Sequence, residues 1–229
     1  MRWGLVGVLL VACRSPSGGA PGGEEHWAAH PRFSAPGQPA PSTVVRQAKS
    51  GGSPTLVTSE LELPANLAID GAFLYGIERS PRRSSDRVFR IAKRGGPVQV
   101  LASHEGQLND IAVDGEFVYF TQRLEVSERR DPAGEPESIQ LPHAVRSTGR
   151  VLRVPKAGGA VHQLATLPGQ SRAIDVVGPF LFVSSGNMYR LPKRGGVVAE
   201  IAGGWPSAFV ATRRSLFYFA REGLLVLDE

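Results

Sequence analysis

Lys49-Ser50-Gly51-Gly52, Lys93-Arg94-Gly95-Gly96, Lys156-Ala157-Gly158-Gly159 and Lys193-Arg194-Gly195-Gly196 are four copies of one short pattern, Lys-x-Gly-Gly, in a chain of 229 residues. Lysine and arginine together number 26, and the only four lysines are those that open these turns. In so arginine-rich a sequence that placement marks a positional requirement. The physical candidates are a charge that guards a sheet edge and a cation packed over the turn. The paired glycines supply the positive φ angles that tight hairpins need.

Working outward, each turn is flanked by short β-like runs. Val88-Phe89-Arg90-Ile91, Val151-Leu152-Arg153-Val154 and Met188-Tyr189-Arg190-Leu191 precede three of the turns. Val98-Gln99-Val100-Leu101, Val161-His162-Gln163-Leu164 and Val197-Val198-Ala199-Glu200-Ile201 follow them. The runs alternate with the period of two that marks a half-buried strand. A second hairpin lies between successive copies: Leu67 to Tyr75, Ile111 to Tyr119, Ile174 to Phe182 and Val210 to Tyr218. Its turn is Asp70-Gly71 and Asp114-Gly115 in the first two copies, a strong hairpin signal. It becomes Val177-Gly178 and Arg213-Arg214 in the last two, so the two aspartates read as turn residues, not as members of a shared metal site.

Four strands per unit of about 40 residues are the signature of a β-propeller blade. The expected fold is therefore all-β: a small β-propeller of about four four-stranded blades occupying residues 43–229. Three blades are complete. The fourth is a composite, made of strands c and d from Val44 to Thr58 and strands a and b from Val210 to Phe219, which closes the ring and removes free sheet edges. Leu224-Leu225-Val226-Leu227 also reads as a strand c and competes with the N-terminal one.

The order Ile111-Ala112-Val113-Asp114-Gly115, Val118-Tyr119-Phe120-Thr121, then Gly149-Arg150-Val151-Leu152-Arg153 resembles the YWTD repeat of low-density-lipoprotein-receptor-type propellers. It is also similar to the NHL-like repeats of bacterial surface proteins. Tyr119-Phe120-Thr121-Gln122 is the nearest approach to Tyr-Trp-Thr-Asp, and the other copies depart further. The resemblance covers about Val44 to Leu227. It implies a propeller that binds protein or glycan and carries no catalysis of its own.

Two loops joining strand b to strand c are enlarged, and long loops on a rigid scaffold are where binding usually resides. The first, Glu78 to Arg87, contains Arg79, Arg82, Arg83 and Arg87. The second, Gln122 to Gly149, contains Arg123, Arg129 and Arg130 among glutamates. These seven arginines are the expected binding site for an acidic protein or glycan surface; a solvated, mobile insertion is the plainer reading of the long loop. No catalytic residue, metal ligand or cofactor site is expected, because none of the common hydrolase, zinc or phosphate-loop motifs is present. A hydrolase or lactonase built from carboxylates converging in the channel is the alternative, as is a structural scaffold of an envelope complex or a truncated propeller paralogue. The net charge of +5 comes with no aromatic-basic platform or recognition helix, so nucleic acid is not an expected partner. The single cysteine rules out an internal disulfide scaffold, and a closed ring predicts a monomer.

That cysteine has another use. Trp3 to Val11 is a short apolar run behind Arg2, too short to span a bilayer but of signal-peptide length. It ends in Leu10-Val11-Ala12-Cys13, which resembles a bacterial lipobox. The expectation is a signal peptide over residues 1–12, lipidation at Cys13, a flexible Gly/Pro/Ser/Ala linker over residues 13–42, and residence at the cell envelope, anchored to the outer membrane or cell surface. Acyl chains anchor by hydrophobic burial, about 0.8 kcal/mol per methylene. Cys13→Ser is expected to move the chain from the membrane fraction to the soluble fraction of a bacterial lysate; a variant that still partitions with membranes would overturn the anchor.

Overall fold

Each Lys-x-Gly-Gly turn does close a hairpin, and Gly95 and Gly96 show why glycine is needed there, with φ of 88° and 127°. The computed structural model of the chain describes residues 25–34, 38–80, 82–126, 146–204, 206, 208–220 and 223–228. Every regular element among them is a β-strand, and the strands form five antiparallel sheets. The first sheet is β1 (Glu25–Ser34), β2 (Gln38–Ala48) and β3 (Thr55–Leu61). The second is β4 (Leu63–Ile69), β5 (Phe73–Arg79), β6 (Ser85–Ala92) and β7 (Gln99–Glu105). The third is β8 (Gln107–Val113), β9 (Phe117–Val126), β10 (Arg146–Pro155) and β11 (His162–Pro168). The fourth is β12 (Ser171–Val177), β13 (Phe180–Ser185), β14 (Asn187–Pro192) and β15 (Ala199–Ala202). The fifth is β16 (Ala208–Ala211), β17 (Ser215–Ala220) and β18 (Gly223–Asp228).

The three complete blades and the propeller architecture match the sequence reading; the composite blade does not form. Leu224–Leu227 pairs with Phe219–Leu216 inside the fifth sheet, and the N-terminal strands keep a sheet of their own. The reason lies in residues 25–42, read in the sequence as part of the spacer. Residues 25–34 form β1 and pair with β2, and the register places Trp27 opposite Arg46 as Tyr75 stands opposite Arg90. Trp27 and Ala29 are buried with Val44, Val57 and Leu61 against Leu67, Leu74 and Phe89 of the second sheet. That burial outweighs the weak strand propensity of so many small residues. Cys13 and residues 1–24 lie outside the described residues.

The sheets succeed one another because each packs a face on the next. Residues Leu74 to Glu78 of β5 are buried in succession, which ends the period-two pattern: a sheet covered on both faces hides alternate side chains in opposite directions. Among the described residues 13 buried apolar side chains lie between the second and third sheets, against 7 between the fourth and fifth. Each large one contributes about 1.5–3 kcal/mol, so hydrophobic burial dominates every junction and the last is the weakest. Approach is close enough to dictate residue choice. A Cβ on Gly149 of β10 would sit 1.9 Å from Ser171 Oγ of the next sheet.

Polar contacts then fix how neighbouring blades register. Asp70 Oδ1 accepts from the amides of Ala72 and Phe73 at 2.9 and 2.8 Å, closing its own turn. Its Oδ2 accepts from Tyr75 Oη at 2.8 Å and from Lys156 Nζ of the following blade at 2.7 Å. Asp114 repeats this with Glu116, Phe117, Tyr119 and, from the next blade, Lys193 Nζ at 2.6 Å. Arg90 stacks 4.7 Å above Phe73 and donates to Lys156 O; Arg153 stacks 4.5 Å above Phe117 and donates to Lys193 O. In the third and fourth sheets the lysine of the repeat is thus an inter-blade latch, and Lys156 also lies 5.5 Å over the Tyr75 ring.

Burial pushes the Asp70 and Asp114 carboxyls up, but the lysine ammonium, the two turn amides and the tyrosine hydroxyl outweigh it and hold both below the ordinary carboxylate range. A carboxyl lowered on folding stabilises fully above its unfolded pKa, about 4, and loses that contribution as pH falls through the lower folded value. Lys156→Met is therefore expected to cost about 1–3 kcal/mol at neutral pH in urea unfolding. The gap to the parent chain should narrow as pH is lowered below about 4. Equal stability of the two at neutral pH would show that the latch contributes nothing.

Candidate functional site

The connections from b to c and from d to a gather at the end of the blades opposite the latches. Strands β4, β8 and β12 reach this end through bulges, at Ala65/Leu67, Leu108/Ile111 and Ser171/Ala173. Bulges bend a strand and re-aim its side chains. The first bulge holds Asn66 at a φ of 44°, uncommon for a residue with a side chain. Its Nδ2 donates to Asp110 Oδ1 at 2.9 Å, and Asp110 Oδ2 accepts from the Ile174 amide at 2.9 Å. Three blades are tied through one buried carboxylate. Asn109 adds a second tie, donating to Ser171 O at 2.6 Å.

Four of the predicted arginines come from the first enlarged loop, and the structure sorts them. Glu78, at the end of β5 and 1% exposed, is the hub. Its Oε2 accepts from Arg87 Nε at 2.7 Å and also from Arg87 Nη2, and Arg83 Nη2 stands 3.5 Å away. Its Oε1 accepts from the Glu62 amide at 2.9 Å. Glu62 in turn accepts from Ser80 Oγ and lies 3.9 Å from Arg83. Arg79 leaves this group and donates to Leu108 O of the third sheet at 3.0 Å. Arg82 is exposed, only its backbone amide being held, by Ser80 Oγ at 3.2 Å. Arg123 lies on β9, where Gln170, oriented to satisfy its neighbours, accepts from Arg123 Nη2 at 2.9 Å and from Ser147 Oγ at 3.2 Å. Arg129 and Arg130 lie outside the described residues.

The arginines that look free in the sequence are thus largely answered from within. Glu78 reads as an ordinary strand residue, and Glu62 and Asp86 carry no motif, so the sequence alone does not mark them as partners. Asp86 accepts from the Leu108 amide at 2.9 Å. Burial raises its pKa, and the Leu108 amide with Arg79 offsets this only in part. Compensation is nonetheless incomplete on the donor side. Arg79 Nε, Arg83 Nε and Arg83 Nη2 are buried and donate to no acceptor, whereas the oxygens of Glu78 are both engaged. The end also presents exposed Arg82 and, on the bulge of β12, exposed Arg172. Among the described residues no three His, Cys, Asp or Glu side chains group as a metal site.

Removing the hub should therefore collapse the loop. Glu78→Ala strands Arg87 and the Glu62 amide, and is expected to cost about 3–5 kcal/mol, the usual scale for breaking a buried pair. Glu78→Gln keeps an acceptor and should cost less. Urea titration of the two variants checks the order.

Comparison with protein-family models finds no match, and neither does comparison with curated proteins. Solved structures do match. A nidogen/laminin complex aligns with a TM-score of 0.62 at 14% identity, over 95% of this chain and 75% of that one. A gluconolactonase from Xanthomonas campestris aligns with a TM-score of 0.54 at 20% identity, over 81% and 64%. Hydrazine synthase from Kuenenia stuttgartiensis gives 0.60 at 15%, over 92% and 70%. The chain thus spans 64–75% of the length of these three. One of these structures is a complex with a protein partner and the other two are named for enzymatic activities, and at such identities the likeness is one of fold: the chain is built as a β-propeller.

Proposed function

We propose that this chain is a non-enzymatic, lipid-anchored envelope protein, tethered through Cys13, whose propeller holds an acidic protein or glycan surface against its b–c loop end. The observation that carries this reading is the exposed positive charge at that end: Arg82 and Arg172 face solvent above a loop whose carboxylates, Glu78 and Glu62, already hold Arg87, Arg83 and Ser80. Arg83, a third exposed and paired with Glu78 at 3.5 Å, adds to that surface from beneath, whereas Arg79 is turned inward onto Leu108 O. Arginine suits such a role because its planar fork meets carboxylates and sulfates with two parallel hydrogen bonds. The ties of Asn66, Asp110 and Ile174 keep the platform rigid, which lowers the ordering cost of binding. The likeness to a propeller solved in complex with laminin is compatible with a protein partner.

The competing reading is a hydrolase or lactonase, favoured by the likeness to a gluconolactonase and by the Asn66–Asp110 pair on the bulged inner strands. Against it, both oxygens of Asp110 already hold Asn66 and the Ile174 amide, which leaves a poor general base. One experiment separates them. The full chain is presented to an array of acidic peptides and sulfated oligosaccharides, and in parallel assayed for gluconolactone hydrolysis. Binding is expected to fall at least about tenfold in Arg82→Glu/Arg83→Glu and to persist in Arg94→Glu at the opposite end. Lactone turnover lost in Asp110→Asn, or equal binding by both charge variants, would overturn the proposal.

A further inference from the structure

The junction between the fourth and fifth sheets differs from the second–third and third–fourth junctions. By register, Phe182 and Arg190 take the places of Tyr75 and Arg90, and of Tyr119 and Arg153. Val177 stands where Asp70 and Asp114 stand, paired with Phe180 as the end of the hairpin. Arg190 keeps its stacking position, 4.8 Å over Phe180. The carboxylate and the phenol hydroxyl of the latch are both gone from the fourth sheet, so a lysine bridge of the earlier kind has no acceptor there.

A cavity of about 220 Å³ opens at this junction. Phe182, Ile201, Leu216 and Leu227 supply apolar walls, Arg190 lies on one side, and Arg213 and Arg214 flank it from the β16–β17 turn. Arg213, Arg214 and Leu227 are exposed, Phe182 and Ile201 are half-buried and Leu216 is 4% exposed, so the charge stands at a mouth that Leu227 shares and Leu216 forms the floor. Thr212 is occupied with its own turn, accepting from the Ser215 amide at 2.9 Å. Among the described residues no acidic side chain lines it.

We propose that this cavity is a binding site for a small amphipathic carboxylate, an aryl-alkanoate or short fatty acid, whose head meets the arginines and whose tail lies against Phe182, Ile201 and Leu216. The size fits: an apolar cavity of about 150 Å³ accepts benzene, which leaves room here for a ring and a short acid arm. The charge fits as well, since the exposed guanidinium groups of Arg213 and Arg214 favour a carboxylate over a neutral head. The site lies at the opposite end of the blades from the arginine platform and does not depend on the reading given to that platform.

The test uses the full chain with 3-phenylpropanoate and its neutral counterpart 3-phenylpropanol, followed by ligand-observed NMR titration. The acid is expected to bind saturably and about tenfold or more tighter than the alcohol. Ile201→Trp, which fills the cavity, should remove binding of both. Arg190 supports the stack on Phe180, so charge is probed separately with Arg213→Gln/Arg214→Gln at exposed positions, which should narrow the difference between acid and alcohol. Failure of the acid to saturate, equal affinity for acid and alcohol, an unchanged preference in the arginine variant, or binding that survives Ile201→Trp would each overturn the proposal.

Discussion

The ammonium of one blade meeting the turn carboxylate of the blade before it, as Lys156 meets Asp70 and Lys193 meets Asp114, is the contact on which the geometry of the arc depends. Apolar burial supplies most of the free energy at each junction, but burial is non-directional and tolerates sliding. The latch does not. Asp70 is fixed by two amides of its own turn, and the lysine amide is fixed within its own blade, Lys156 N donating to Glu116 O at 3.0 Å. Joining the two side chains sets one sheet against the next in a single position. The arginine that stacks on the neighbouring phenylalanine and reaches the lysine carbonyl reinforces that position.

Hairpins, blade length and turn chemistry were legible in the sequence because they depend on residues close together: Gly-Gly, Asp-Gly and a period of two. The latch was half legible. Confinement of lysine to one position showed that something required it, but its partner lies 86 residues away for Lys156 and no local pattern joins them. Strand β1 was missed for the opposite reason. Its residues Glu25–Ser34 have the composition of a spacer, and only Trp27, seated where other blades place tyrosine, marks it as a strand. Tertiary packing decided that segment, as it commonly does where propensity is weak.

The arginine loop shows a different limit. Charge is readable from sequence, but its neutralisation is not, because Glu62, Glu78 and Asp86 reach the arginines from different strands and connections. What the fold adds is a distinction between arginines that brace the loop, Arg87 above all, and those left on the surface, Arg82 and Arg172. The two ends of the blades thereby acquire different characters, one braced by carboxylates beneath a positive rim, the other latched at the two junctions of the middle sheets.

Two of the three full repeats carry both halves of the latch, an aspartate on the hairpin nearest its own start and a lysine on the hairpin that follows. A tandem duplication of such a unit therefore creates a junction that already fits, since the copied lysine finds the original aspartate without further change. New blades can accumulate by copying alone. The same arrangement explains how a junction is retired: once Val177 takes the aspartate's place, selection on the opposing position is lifted, and the space between two blades becomes raw material for something else.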